Sequence, residues 1–275
     1  MNSVINKFNV AGRSVFVTGG GAGLGLAYAE ALAECGAKVT LTGRNSANIE
    51  AEATRMRDLG WTVHARQLDI SDATAVAAAI DEHVARFKSL DAVFANAGIG
   101  DGPGFWDAAN QRRNPEGEIE NLAQSNWSRI LDVNLNGTAY TVSEAARAMK
   151  ALGRPGSIVV TSSVASTMVF PTIATAYMVS KAAISHLVRQ VALELAEFGI
   201  RVNAISPGMF VTNIGGGYLA DPAAREAMGK YVPMGHMAEV HQIKPLALYL
   251  ASDASDFMTG AELPIDGGVL LGAFK

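Results

Sequence analysis

Residues 14–17 form a short apolar run that passes without a break into TGGGAGLG at 18–25, and then into a helical pattern over 26–35. This succession restricts the fold more than any other stretch of the chain. A glycine-rich turn between a strand and a helix lets the backbone approach a phosphate closely, while the free N–H groups and dipole of the helix start attract its charge. A glycine cluster alone is a weak signal. Strand, turn and helix in succession predict a nucleotide-binding unit.

The rhythm continues. A strand at 39–42 ends in Gly43-Arg44-Asn45, and a helix over 48–59 leads to a strand at 62–68 that ends at Asp69-Ile70. An alanine-rich helix spans 73–87, and a fourth strand at 91–94 runs into Ala95-Asn96-Ala97-Gly98. Strands that alternate with helices and carry no hairpin signals predict a parallel sheet covered on both faces. Each strand ends in small or polar residues, as a ligand crevice requires. After the second strand of such folds a carboxylate suits the ribose 2′-hydroxyl of NAD, whereas an arginine suits the 2′-phosphate of NADP. Gly43 and Arg44 therefore favour NADP over NAD.

Residues 100–125 interrupt the pattern with glycines, prolines, Arg112-Arg113 and alternate glutamates around Phe105-Trp106. Long irregular connections in compact domains are usually functional or disordered. A substrate lid, a subunit contact and a solvated insertion all stay open. A helix over 126–152 follows, with Asn134 in its interior.

The next strand, 157–161, ends in Ser162-Ser163, and Ile184, Leu187, Val188, Val191 and Leu195 then recur at helical spacing. Tyr177 and Lys181 stand four apart, so a helix presents both on one face. A phenol has a free pKa near ~10, and a neighbouring ammonium favours its charged form, which draws it toward the range of acid/base work. A hydroxyl at the strand tip can share the same substrate oxygen. Taken alone, a Tyr and a Lys at this spacing form an ordinary surface pair. A strand at 201–206 ends in Pro207-Gly208 and leads into MFVTNIGGGYL, so residues 209–235 read as an apolar substrate flap or a partly buried loop. A helix over 240–252, a strand at 262–265 and the turn Asp266-Gly267-Gly268 complete the pattern.

Together these motifs resemble the short-chain dehydrogenase/reductase family, in its short single-domain subgroup, over nearly the whole chain. The matching residues are TGGGAGLG, Asp69, ANAG, Asn134 in LDVNLNGT, the serine pair after SIVVT, YMVSK and SPGMFVT. The resemblance implies an α/β fold, a Rossmann-type doubly wound parallel sheet of about seven strands flanked by helices. It also implies a nicotinamide dinucleotide, a small carbonyl or alcohol substrate, and a homotetramer or homodimer. Ser163 would orient the substrate oxygen, Tyr177 would be the proton donor or acceptor, Lys181 would lower its pKa and hold the nicotinamide ribose, and Asn134 would support a water-linked proton relay. Gly19, Gly21, Gly23, Leu24 and Gly25 would lie along the adenosine phosphates, and Asp69 and Ile70 by the adenine. Asn96, Ala97 and Gly98 would lie along the ribose, and Pro207, Gly208, Phe210 and Thr212 by the nicotinamide amide. The chain departs from the family pattern at Ala95, at Ala22 where many NADP-preferring relatives carry a basic residue, and in a Ser163-to-Tyr177 gap one residue longer than usual. That gap leaves Ser162 as an alternative to Ser163.

Composition narrows the function classes. With 275 residues, 49% of them hydrophobic, one large domain over 1–275 is expected. A net charge of −4 without like-charge runs offers no surface for nucleic acid or anionic membrane. The first residues lack the apolar core of a signal peptide, and the uncharged stretch at 155–180 is broken by Ser, Thr and Pro171, so a cytoplasmic protein is expected. Cys35, the single cysteine, excludes an intrachain disulfide and is expected to be packed at a helix end. The histidines lack metal-ligand spacing. Met168, Phe170, Met209, Phe210, Tyr218 and Trp106 suggest an apolar pocket for a bulky ketone or alcohol. Two rivals remain: a 3-oxoacyl thioester reductase of fatty-acid type, with Arg112 and Arg113 as the only basic candidates for a carrier protein, and a non-catalytic dinucleotide sensor.

Overall fold

The computed structural model describes residues 3–108, 110–212, 214 and 221–272. In chain order the elements are β1 (Ser14–Val17), α1 (Gly23–Glu34), β2 (Lys38–Gly43), α2 (Ser46–Asp58), β3 (Val63–Gln67), α3 (Ala73–Phe87), β4 (Ala92–Ala95), β5 (Trp106–Asp107), β6 (Arg112–Arg113), α4 (Gln124–Leu131), α5 (Thr138–Leu152), β7 (Gly156–Thr161), α6 (Thr175–Leu195), β8 (Ile200–Pro207), α7 (Pro222–Gly229), α8 (Lys244–Ala251) and β9 (Glu262–Ile265). Seven strands form one sheet in the order β3-β2-β1-β4-β7-β8-β9, every pair parallel. The order reverses between β1 and β4, and crevices in such sheets open beyond the carboxyl ends of the strands at that point.

Alternation along the strands divides the core in two. Val15 and Val17 of β1 face α1, α2 and α8 together with Leu32, Leu41 and Ile49, while Phe16 between them faces α3, α5 and α6 with Ile80, Ile158 and Ile184. Burying each such side chain contributes about 2 kcal/mol. The second layer also holds His83, fully buried, its Nδ1 2.8 Å from Thr40 Oγ1 and its ring edge-on to Phe16 and Phe87. Burial pushes its pKa down from the ordinary 6.5 to about 4. The unfolded chain therefore takes up this proton first, so stability present above pH 6.5 drains as pH falls toward 4, by about 2 kcal/mol at pH 5. Urea midpoints at pH 7 and pH 5 should show that loss, and His83→Asn should flatten this part of the slope.

Several elements differ from the sequence expectations for identifiable reasons. α1 begins at Gly23, three residues early, because the end of the glycine turn is its first turn. The expected continuous helix over 126–152 is α4 and α5 joined by a π-helical segment, Asp132–Gly137. Residues 100–125 hold the antiparallel hairpin β5–β6 where no hairpin was expected. That segment is tied to the loop between Ser163 and Tyr177: Trp106 N donates to Pro171 O at 3.0 Å and Pro103 bridges Ile173. The helix expected from Val240 starts as a 3-10 turn, Val240–Ile243, before α8. Cys35 is exposed rather than packed, since α1 ends there and turns it outward.

Candidate active site

The glycine turn is positioned by Thr18, Asn96 and Thr161, one from each of three strand ends. Thr18 Oγ1 accepts from the N–H groups of Asn96 and Ala97 at 2.9 and 3.1 Å. Asn96 Nδ2 donates to Thr18 O at 3.1 Å, and its Oδ1 accepts from Thr161 Oγ1 at 3.1 Å. Asn48 Nδ2 donates to Gly21 O at 2.6 Å, which fixes the start of α2 against the turn. A Cβ at Gly25 would overlap the Gly19 carbonyl and the Asn96 amide, so only glycine lets α1 pack this close beneath the turn. Asn45 and Asp72 cap α2 and α3 with their side chains, whereas the start of α1 at Ala22 has no side-chain cap. Its first N–H groups are open to an external anion.

A cavity of about 640 Å³ runs from this turn across the carboxyl ends of the sheet. Of the residues singled out in the sequence, Gly19, Gly23, Leu24, Arg44, Asp69, Ile70, Asn96, Ala97, Gly98, Ser162, Ser163, Tyr177, Lys181, Pro207, Gly208, Phe210 and Thr212 line it. Arg44 and Asp69 stand together at one end. Asp69 accepts from the Ser71 hydroxyl at 2.7 Å and the Ser71 N–H at 3.0 Å, and these bonds, aided by Arg44, hold its carboxyl below the usual range. Gly21 and Gly25 lie behind the lining, where they pack the turn. So does Asn134, which is fully buried: its amide donates to Ile99 O at 2.9 Å and Ser180 Oγ at 3.1 Å, and accepts from Ile99 N at 2.8 Å. The π-helical segment carries it there, as such bulges do at functional sites.

Ser163 and Tyr177 both line the cavity, and the nearby Ser163 hydroxyl favours the phenolate. Ser162 also borders the cavity but is almost fully buried, and its hydroxyl lies 2.8 Å from Ser185 Oγ. The two serines that the lengthened gap left as alternatives thus differ in exposure and in partner: the Ser162 hydroxyl is turned to Ser185, and Ser163 is the more open to the cavity. Lys181 Nζ donates to Thr161 O at 2.9 Å and sits 5.6 Å from the centre of the Tyr177 ring. Burial pushes Lys181 down to about 8. The expected fall in the Tyr177 pKa is corrected: burial raises it, and the nearby Ser163 hydroxyl opposes but does not reverse that. The ammonium is committed to a carbonyl rather than to the phenol, and a neutral phenol is a proton donor.

The apolar residues do not form the pocket expected of them. Met168, Phe170 and Met209 pack with Val164, Val232 and Val269 in a small separate core, and Trp106 belongs to the hairpin. Only Phe210 of that set lines the cavity among the described residues; Tyr218 lies outside them, as does most of the glycine-rich part of the 209–235 segment. Arg113 pairs with Glu118, and Arg112 lies 3.9 Å from Asp107, so neither reaches the cavity wall. Among the described residues no cluster of three metal-ligating side chains occurs, and no helix is long and apolar enough to cross a membrane.

Two arrangements had no sequence signal. Asp101 and Arg129 line the cavity near Tyr177, joined by an ion pair of 2.5 Å. Behind the site, one oxygen of Glu262 accepts from Ser166, Ser185 and Ser206 at 2.7, 2.8 and 2.6 Å, linking the segments that carry Ser163, Lys181 and Pro207. Burial raises the Glu262 pKa, but the three hydroxyls and Arg189 outweigh it and keep the carboxyl below its usual range. Glu262→Ala would strand three donors, two of them on buried serines, and should lower stability by on the order of 2 kcal/mol, read from a urea midpoint.

The family model described as enoyl-(acyl carrier protein) reductase matches residues 19–270. Sorbose reductase of Candida albicans is 33% identical over 97% of this chain and 90% of its own. Galactitol 2-dehydrogenase of Rhizobium johnstonii is 36% identical over 95% of this chain and 96% of its own. A gluconate 5-dehydrogenase of Burkholderia cenocepacia, solved with NADP and tartrate, superposes with a TM-score of 0.86 at 32% identity, covering 98% of this chain and 100% of the other. Motif order, sheet order and these matches agree that the chain belongs to the short-chain dehydrogenase/reductase family of oxidoreductases.

Proposed function

We propose that this protein interconverts a hydroxylated ketone and its secondary alcohol by hydride transfer with a nicotinamide dinucleotide, NADP in preference to NAD. The observation that carries the reading is the meeting of Ser163, Tyr177 and Lys181 on the wall of one cavity whose far end holds the glycine turn, Arg44 and Asp69. The uncapped start of α1 and the side-chain-free turn fit a pyrophosphate. A bound nicotinamide supplies or accepts the hydride. The protein's own part is positioning and proton transfer. Tyr177 protonates the substrate oxygen during reduction, Ser163 orients that oxygen, and Lys181 keeps a positive charge beneath them. Asn134 holds the Ile99 backbone in line with this group. The hydroxylated substrate is supported by the polyol and ketose relatives, and by a cavity wall that ends in charged rather than aromatic side chains.

The reading is tested by following the absorbance of reduced nicotinamide with both cofactors across ketoses, keto acids and cyclic ketones. Cofactor oxidation with at least one ketone is expected; binding of NADPH with no turnover across that set would leave the non-catalytic sensor. Arg44 makes a separate prediction. Its guanidinium lines the cavity and forms no ion pair among the described residues, which leaves it for a 2′-phosphate. NADPH should bind more tightly than NADH, and Arg44→Glu should reduce that ratio about tenfold or more in a fluorescence titration. Equal affinities in the unaltered protein would remove the argument for NADP.

A further inference from the structure

We infer that the Asp101–Arg129 pair is the substrate-specificity element of this site, and that it selects ketones bearing neutral hydroxyl groups over the corresponding carboxylates. The inference rests on the oxidoreductase reading above and adds the residues and the charge rule that choose the substrate.

Position comes first. Gly100 lies against the proton-donor ring: a Cβ there would stand 3.3 Å from Tyr177 Cε2 and 3.2 Å from Ile214 Cγ1. Asp101 is the next residue along the cavity wall, so its carboxylate is one residue from the backbone that touches Tyr177. The other groups at this end are Ile99, Val133 and Ile214. Among the described lining residues, Asp101 and Arg129 are therefore the only charges that a substrate meets here besides Lys181, which is buried and bonded to Thr161.

The pair is also held in place. Arg129 Nη2 donates to Asp101 Oδ2 at 2.5 Å and to Asn126 Oδ1 at 2.6 Å, and Asn126 and Arg129 stand three apart on one face of α4. Gly102, at φ +101, turns the chain so that Asp101 reaches that helix, and a Cβ at Gly102 would come within 2.7 Å of Asn126 Nδ2. A side chain at position 102 would both strain the backbone and push Asn126 away. Asp101 and Arg129 remain 53% and 47% exposed. The second carboxylate oxygen and the remaining guanidinium N–H groups have no partner among the described residues.

The consequence is chemical. The site offers an acceptor and a donor side by side with their charges cancelled. A hydroxyl both donates and accepts, so neighbouring hydroxyls on a ketose chain satisfy both members. A carboxylate accepts from Arg129 but meets the like charge of Asp101, and an apolar ketone desolvates the pair without replacing its hydrogen bonds.

The test compares sorbose, 5-ketogluconate and cyclohexanone, with kcat/KM measured in the reductive direction and cofactor binding followed by fluorescence to confirm folded protein. The unaltered enzyme should favour sorbose over 5-ketogluconate tenfold or more. Asp101→Asn frees Arg129 and should lower the sorbose-to-ketogluconate ratio tenfold or more. Arg129→Gln leaves Asp101 unpaired and should raise the same ratio. These opposite shifts separate recognition from a merely structural role, which would move both substrates together. The inference is overturned if both variants shift the ratio in one direction, if either shift is below threefold, or if the unaltered enzyme prefers the keto acid. Turnover of cyclohexanone alone rejects the specificity assignment and leaves the oxidoreductase reading standing; no turnover of any ketone by cofactor-bound protein rejects both.

Discussion

Tyr177→Phe is expected to reduce carbonyl turnover on the order of 10³-fold while changing dinucleotide affinity by no more than about twofold. The substitution removes only the hydroxyl. The ring stays where it is, against Gly100 and over Lys181, so the shape of the cavity and the contacts of the nicotinamide end are preserved. What is lost is the one phenol that faces Ser163, and with it the proton for the substrate oxygen. Burial raises the Tyr177 pKa, which keeps the phenol protonated at neutral pH and suits the reductive direction. Ser163→Ala should have a smaller effect, about 10²-fold, because it removes an orienting hydrogen bond and not the proton source. Turnover of Tyr177→Phe within tenfold of the unaltered enzyme would reject the assignment. A parallel loss of cofactor binding would show that the hydroxyl also holds the dinucleotide.

Gly25→Ala should all but abolish dinucleotide binding, by about a hundredfold or more, and it should do so without touching any reacting group. The added Cβ would overlap the Gly19 carbonyl and the amide of Asn96, the side chain that also holds Thr18 and Thr161. Relief requires α1 to withdraw from the turn, which moves its open N–H groups out of reach of a pyrophosphate. The loss should appear as a raised Kd for NADPH in fluorescence titration, together with a lower urea midpoint of about 1–3 kcal/mol from overpacking. Gly60→Ala is the control. Gly60 has φ +86 and open space around its Cβ position, so it costs backbone strain alone and should leave the Kd unchanged. Normal NADPH affinity in Gly25→Ala would sink the pyrophosphate assignment for this turn.

Much of the architecture was legible because hydrophobic periodicity and turn chemistry act over short stretches. The limits of α3 at 73–87 and of β9 at 262–265 follow directly from the residues. Asp72 caps the first, and the glycines beyond Ile265 end the second. The π segment around Asn134 was not legible, since its apolar spacing differs from an ordinary helix by a single residue. Neither was the β5–β6 hairpin, whose two-residue strands are too short for alternation to register. Met168, Phe170 and Met209 read as pocket residues because aromatic and thioether side chains in a loop suit a ligand or a core equally well. Their partners Val232 and Val269 come from segments far along the chain.

Residue order by itself determined the βαβ alternation, the glycine turn, the Tyr177–Lys181 spacing and the basic residue after β2, each a matter of neighbours within one or two helical turns. Tertiary structure alone decided that the Ser162 hydroxyl meets Ser185, that burial raises the Tyr177 pKa, that Glu262 gathers three serines, and that Asp101 meets Arg129. The physical reason is that desolvation and side-chain pairing depend on how separately formed elements cross. That crossing is set by the packing of the whole sheet, which no local pattern records.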